Sequence, residues 1–170
     1  DRLQNGQHNH IKGELPYEVQ DLEDNISGLE TRIAGYTAQT DELAKEVKTK
    51  KEEIEQAKAL IKKYEAQQDD VRNNREFDSL SKEIEYQKLE IELAEKRIKE
   101  FNAEIKTKKK QIEDTKELLE DRKVALEAKR AELESIEADT AKELAELQAQ
   151  ADAARTKIDE RLLAAYDRIR

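Results

Sequence analysis

The chain has 170 residues, of which 43% are charged and 36% are hydrophobic, and its formal net charge is -9 at pH 7. So few apolar residues exclude a thick globular core, and the acidic balance disfavours phosphate binding along the whole length. The chain contains no cysteine, which excludes disulfides and thiolate metal sites, and no apolar run approaches the ~20 residues that a membrane span needs.

Residues 1–16 form the first predicted element, an irregular segment with a short helical piece. Gly13 and Pro16 break helices, so we expect a kink between them, with Pro16 in the first turn of the helix that follows. His8 and His10 are the only two histidines, and no third ligand lies near them in sequence. We therefore predict no metal site in this segment.

Residues 17–71 are predicted to form the first helix of a coiled coil. Apolar residues recur there at alternating spacings of three and four over about seven heptads, which is the pattern of a helix–helix seam. The large aliphatic residues of this seam include Leu22, Leu29 and Leu43.

Residues 77–170 are predicted to form a second, longer helix. One set of apolar residues recurs every seventh position, and the companion positions between them are mixed, with Lys108 and Arg122 among them. The main seam positions of this helix are Ile84, Ile91, Ile98, Ile105, Ile112, Leu119 and Leu126.

Residues 72–76 are predicted to form the tip of a hairpin, because the heptad phase breaks there. A continuous phase would place Arg75 and Asp78 in the seam. Asn73, followed three residues later by Glu76, is typical of a helix N-cap with its capping-box partner, and Asn also tolerates the left-handed conformation that a tight reversal needs. The predicted fold is all-α, a long antiparallel coiled-coil hairpin whose second arm is longer than the first. The alternative is a stutter in one continuous helix.

The heptads of the two arms match best when paired residue numbers add to 148. In that register the apolar stripe from Leu147 to Ile169 has no partner within the chain. We expect either a preceding segment of the protein or a second chain to cover it, which makes a homodimer through the unpaired end of the second helix one prediction.

Two groups of residues are candidate contact sites. The tip is the better one, although Phe77 could instead close the seam over Val71. The tip residues are Arg72, Asn73, Asn74, Arg75, Glu76 and Phe77. The second group is a basic band that could grip phosphate or an acidic partner, or could be a solvated face matched with local acids. The band comprises Lys48, Lys50, Lys51, Lys106, Lys108, Lys109 and Lys110.

No motif predicts catalysis. Carboxylate pairs such as Glu52 and Glu53 are common in so acidic a chain, and nothing in the pattern predicts a pocket that would shift their pKa. The sequence has no Gly-rich phosphate loop, and we predict that the protein is not an enzyme.

Short motifs at three places carry a family resemblance. They are "GELPYEVQDLEDNISGLETRI" at 13–33, "NNREFDSLSKEIE" at 73–85 and "LLAAYDRIR" at 162–170. The chain resembles the bacterial C4-type zinc ribbon and coiled-coil family, most strongly its Bacteroidetes-type members. The family's tip signature falls on Arg75, Glu76, Phe77, Leu80 and Glu83, and its closing signature on Tyr166, Arg168, Ile169 and Arg170.

The resemblance implies a helical hairpin followed by a small zinc ribbon. Because this chain has no Cys, zinc is expected only in such a ribbon beyond Arg170. It also implies a cytoplasmic adaptor, since characterised members bind a sigma factor, transcripts or secretion components. We therefore predict a non-enzymatic scaffold that binds protein partners. One alternative is a regulator that binds RNA or DNA through the basic band and the ribbon, and another is a coiled-coil adaptor of the cell envelope.

Overall fold

Two long helices make up the part of the chain that the structure describes. The computed structural model describes the backbone of residues 2–169 and the side chains of residues 13–169. Helix α1 spans Arg2–Asp70 and helix α2 spans Asn74–Ile169, with 69 and 96 residues respectively. The two helices pack against each other, which confirms the predicted all-α antiparallel hairpin with a longer second arm. The alternative of one continuous helix is wrong, because the helical backbone stops for residues 71–73.

The expected break before residue 17 is absent, and this prediction is corrected. Helix α1 already begins at Arg2 and continues through Gly13 and Pro16. A proline inside a helix removes one backbone hydrogen bond and costs about 3 kcal/mol. The neighbouring Leu15 is only 3% exposed, and Pro16 lines a groove together with Leu133 and Leu144 of α2. Burial of Leu15 between the helices offsets part of the cost of the proline.

The core consists of a thin seam between the helices. Every predicted seam position from Leu22 to Val71 is buried or half-buried, and the residues between them are exposed except Glu23 and Leu60, which are half-buried. The deepest apolar residues are Leu15, Leu29, Val47, Ile54 and Ala57 in α1, and Ile84, Ala94 and Leu126 in α2. Thr115 is the buried polar member, and its hydroxyl donates a 2.6 Å hydrogen bond to the Gln111 carbonyl. Burial in the seam therefore follows the heptad pattern.

The helix pair falls into two compact units. One is Ser27–Glu120, which contains the turn, and the other combines α1 up to Ile26 with α2 from Asp121 onward. In the second unit, Lys129 Nζ lies 3.1 Å from Glu18 Oε2, and Arg130 Nη2 donates a 2.7 Å hydrogen bond to Glu23 Oε1. The hydrogen bond from Lys129 to Glu18 and the charge of that carboxylate raise the pKa of Lys129 above its ordinary value of 10.5.

The cross-arm contacts report the register of the hairpin. In the unit that contains the turn, Gln68 contacts Phe77 and Ser81, and Lys108 Nζ lies 5.6 Å from the ring centre of Tyr36. These pairs, and the two ion pairs of the other unit, join residues whose numbers add to within five of 148. A slip of one whole heptad would move that value by seven.

Candidate protein-binding surfaces

The tip is built on an asparagine cap. Asn73 Oδ1 accepts a 2.9 Å hydrogen bond from the Arg75 backbone N–H, and the Asn73 carbonyl accepts a 3.0 Å bond from the Phe77 N–H. A side-chain oxygen at this position satisfies one of the N–H groups that a helix start leaves without a partner. The pattern Asn73 to Glu76 therefore located the start of α2, which begins at Asn74 rather than at 77.

The reversal differs from the prediction in its backbone. Only residues 71–73 are non-helical, so the turn is shorter than the predicted 72–76. None of the described residues has a positive φ, so the expected left-handed asparagine is not used. Three consecutive non-helical residues reverse the chain without it, and the Val71 N–H still bonds the Gln68 carbonyl at 3.3 Å.

Gln68 links the two arms by hydrogen bonds, three residues before the turn. Its Nε2 donates to the Phe77 carbonyl at 3.2 Å and to Ser81 Oγ at 2.8 Å. A polar side chain thus fills the last layer of the seam before the turn. Gln68 stands at a seam position in the sequence, but its role as a clamp depends on the register and was not predicted.

Phe77 is the exposed aromatic residue of the tip. It is 45% exposed, while Val71 is half-buried. Arg72 and Arg75 are also exposed. One flank of the tip carries a shallow groove lined by Gln67, Asp70, Val71, Glu76, Ser79 and Leu80.

The lysines of the basic band lie among acids. Lys50 Nζ makes a 3.2 Å ion pair with Glu53, and the ammonium of Lys108 lies over the Tyr36 ring. Both side chains are half-buried at seam positions, with their stems along the apolar surface. Lys48, Lys51, Lys106, Lys109 and Lys110 are exposed. Two of the seven lysines therefore help to cover the seam.

A second apolar surface, which we call the distal stripe, follows the covered seam in α2. All described residues from 141 onward are exposed, and the large side chains of the stripe are 58% to 86% exposed. The distal stripe consists of Leu144, Leu147, Ala151, Ala154, Ile158, Leu162, Ala165 and Ile169. The exposure of the stripe beyond Leu147 agrees with the register, in which residues beyond about 147 have no counterpart in the chain.

A third surface, the outer patch, was missed by the sequence reasoning. Tyr86, Leu89 and Leu93 follow the spacing i, i+3, i+7 on the side of α2 that faces away from the seam, and each is more than half exposed. The same three- and four-residue spacing that identified the seam is present here, but out of phase with it. Testing the apolar spacing on every face of the helix, and not only on the face with the most apolar residues, would have identified the outer patch.

Other kinds of site find little support in the described part of the chain. No group of three or more His, Asp or Glu side chains there is arranged to hold a metal ion. Neither helix, over its described residues, contains a stretch long and apolar enough to cross a membrane. His8 and His10 have side chains outside the described residues.

Comparisons with known proteins leave the chain without an assigned family. No protein-family model matches the sequence, and no curated protein and no solved structure gives a significant match.

Proposed function

We propose that this protein is a non-enzymatic coiled-coil scaffold of the cytoplasm whose hairpin tip binds a partner protein. The observation that carries the proposal is the exposure of Phe77 beside Arg72 and Arg75 on a hydrogen-bonded turn. Aromatic and arginine side chains dominate the binding energy of protein interfaces when a partner desolvates them. A phenylalanine that faces water on a helical hairpin is therefore a candidate anchor.

The construction of the tip supports binding without large rearrangement. Asn73 caps α2 and Gln68 holds both arms, so the backbone around Phe77 is fixed before a partner arrives. A preformed surface loses less conformational entropy on binding than a mobile loop does. The groove beside the tip, with Asp70 and Glu76 in its lining, offers a place for a basic or polar side chain of the partner.

Membership of the C4-type zinc ribbon and coiled-coil family is part of this proposal. The residues that match the family's tip signature are those that surround the turn, Arg75, Glu76 and Phe77. In this proposal zinc would be held by a ribbon outside the present sequence, and the hairpin would supply the contact with proteins.

Nucleic-acid binding receives weaker support than protein binding. The net charge of -9 repels phosphate, and Lys50 and Lys108 are engaged with Glu53 and Tyr36. The acidic residues among the remaining lysines reduce the local positive potential further. The basic band therefore does not favour a second function.

A pull-down comparing two exposed apolar residues tests the tip. Phe77→Ala should leave helicity and melting unchanged and should reduce partner recovery at least about tenfold, as expected for loss of a hot-spot anchor. Val124→Ala is the matched control, because Val124 is also exposed on α2 but lies far from the turn in sequence. The partner is identified by quantitative mass spectrometry of proteins retained by the immobilised full-length protein.

Two results would contradict the proposal. Equal recovery of every retained protein by wild type and Phe77→Ala would remove the tip from the interface. Loss of the same partner in Tyr86→Ala, but not in Phe77→Ala, would move the contact to the outer patch.

A further inference from the structure

The distal stripe has a different repeat from the hairpin seam. In the seam of α2, Ile84, Ile91 and Ile98 are seven residues apart, whereas Leu147, Ile158 and Ile169 are eleven residues apart. An eleven-residue repeat has about 3.67 residues per turn, so its apolar face runs almost straight along an α-helix. The stripe therefore suits a helix that packs along it over roughly 40 Å, the length of its 26 residues at about 1.5 Å each.

We propose that a second copy of this chain covers the distal stripe, with the two α2 ends antiparallel. The spacing of the stripe is almost the same when read from either end, which a self-pairing antiparallel surface requires. In the best register, Leu144 lies opposite Ala165 of the second copy, Leu147 opposite its Leu162, and Ala151 opposite its Ile158. Two of these three layers place a small residue against a large one, which favours close packing.

The register also places Ala154 at the centre of the interface. The midpoint of the matched layers falls between Ala154 and Arg155, so the two copies approach there with the smallest side chain of the region. A register centred on Ile158 also matches apolar positions, but it opposes Arg155 to Arg161 of the second copy and pairs large residues with large ones. The first register is therefore preferred on charge and on size.

The charges that flank the stripe support the antiparallel orientation. Glu143 and Glu146 lie on one flank at the beginning of the stripe, and Arg161 and Arg168 lie on the same flank towards its end. In an antiparallel pair, each flank of α2 lies against the same flank of the second copy. Glu143 then lies near Arg168 of the second copy, and Glu146 lies near its Arg161, each two residues from exact register and within reach of the long side chains. By symmetry these pairs occur twice, and such pairs fix orientation and register.

Single cysteines test this arrangement, because the chain has none of its own. In Ala154→Cys, the cysteine lies next to the same cysteine of the second copy, at the centre of the interface. Mild oxidation of the full chain should therefore give a disulfide-linked dimer. Leu144→Cys alone and Ala165→Cys alone should stay uncrosslinked, since each lies far from its own copy in the pair. A mixture of the two should crosslink, because Leu144 faces Ala165.

Two crosslinking results would overturn the proposal. No crosslink in Ala154→Cys would mean that no second copy covers the stripe in the proposed register. Self-crosslinking of Leu144→Cys and of Ala165→Cys, each alone, would mean that the chains are parallel.

Charge reversal gives an independent test by sedimentation equilibrium. Arg161→Glu with Arg168→Glu should weaken the dimer by roughly tenfold or more, because attraction is replaced by repulsion in four pairs. Adding Glu143→Lys and Glu146→Lys to the same chain should restore it. Failure of the restoration, or a wild-type protein that is monomeric at all concentrations, would overturn the dimer. Neither result affects the tip proposal, whose residues lie elsewhere in the chain and whose pull-down needs no self-association.

Discussion

Two neighbouring asparagines have different roles at the turn. The Asn73 side chain accepts a hydrogen bond from the Arg75 N–H, whereas Asn74 is the first residue of α2 and is exposed. The sequence indicated this cap, because Asn73 stands three residues before Glu76. It did not indicate the Gln68 clamp or the exposure of Phe77, because both depend on which residues of the opposite arm lie alongside.

Asn73→Ala should lower the free energy of unfolding by about 1 kcal/mol, the typical loss for an N-cap. Asn74→Ala is the matched control, because it removes the same side chain one position later, where alanine is a good helix former. Urea denaturation followed by circular dichroism at 222 nm measures both. If the two variants are equally stable, the Asn73 side chain is not the cap.

At the scale of elements, stability comes from a seam that is only one layer thick. The heptads predicted which residues would be buried, because helical periodicity alone decides which face of each arm turns inward. The course of α1 before residue 17 was not predictable in the same way. Gly13 and Pro16 favour a break locally, and only the packing of Leu15 and Pro16 beside α2 opposes it.

The distal stripe and the outer patch show that an apolar pattern in the sequence does not by itself predict burial. Their apolar residues have the same local spacing as buried ones, so pattern alone does not say whether a stripe is covered. For the distal stripe, the unequal lengths of the two arms predicted exposure, because the register leaves residues beyond about 147 without a counterpart in the chain. The outer patch became visible only when the seam had been placed.

Ile84→Asp should unzip the hairpin. Ile84 is 7% exposed, and a carboxylate placed there has no hydrogen-bonding partner to replace the water it loses, so about 3 kcal/mol of stability or more should disappear. Leu93→Asp is the control, because Leu93 on the same helix is 56% exposed and already faces water. Thermal melting by circular dichroism compares the two. Equal melting temperatures would place Ile84 outside the seam.

At the scale of the whole molecule, the hairpin follows from a break in phase at one place. Three non-helical residues reverse the chain. Successive heptads of the two arms are then expected to pair in sequence order, beginning at the turn. Contacts near the turn join residues that are close in sequence, and contacts between more distant residues form as the pairing extends away from the turn. Pairing that starts at the turn favours one register over many. The Lys108–Tyr36 and Gln68–Ser81 contacts both lie within five of the expected sum of 148.

A spin-label distance tests the topology in solution. Glu42 and Glu104 are exposed residues of opposite arms that line one groove, so labels on Glu42→Cys and Glu104→Cys should lie within a few nanometres of each other. In one straight helix the 62 residues between them would hold the labels roughly 90 Å apart. The measurement is repeated after mixing with an excess of unlabelled chain under refolding conditions. A short distance that survives dilution requires both arms to belong to one molecule. A short distance that disappears would mean that the arms pair between chains, and a long distance would eliminate the hairpin altogether.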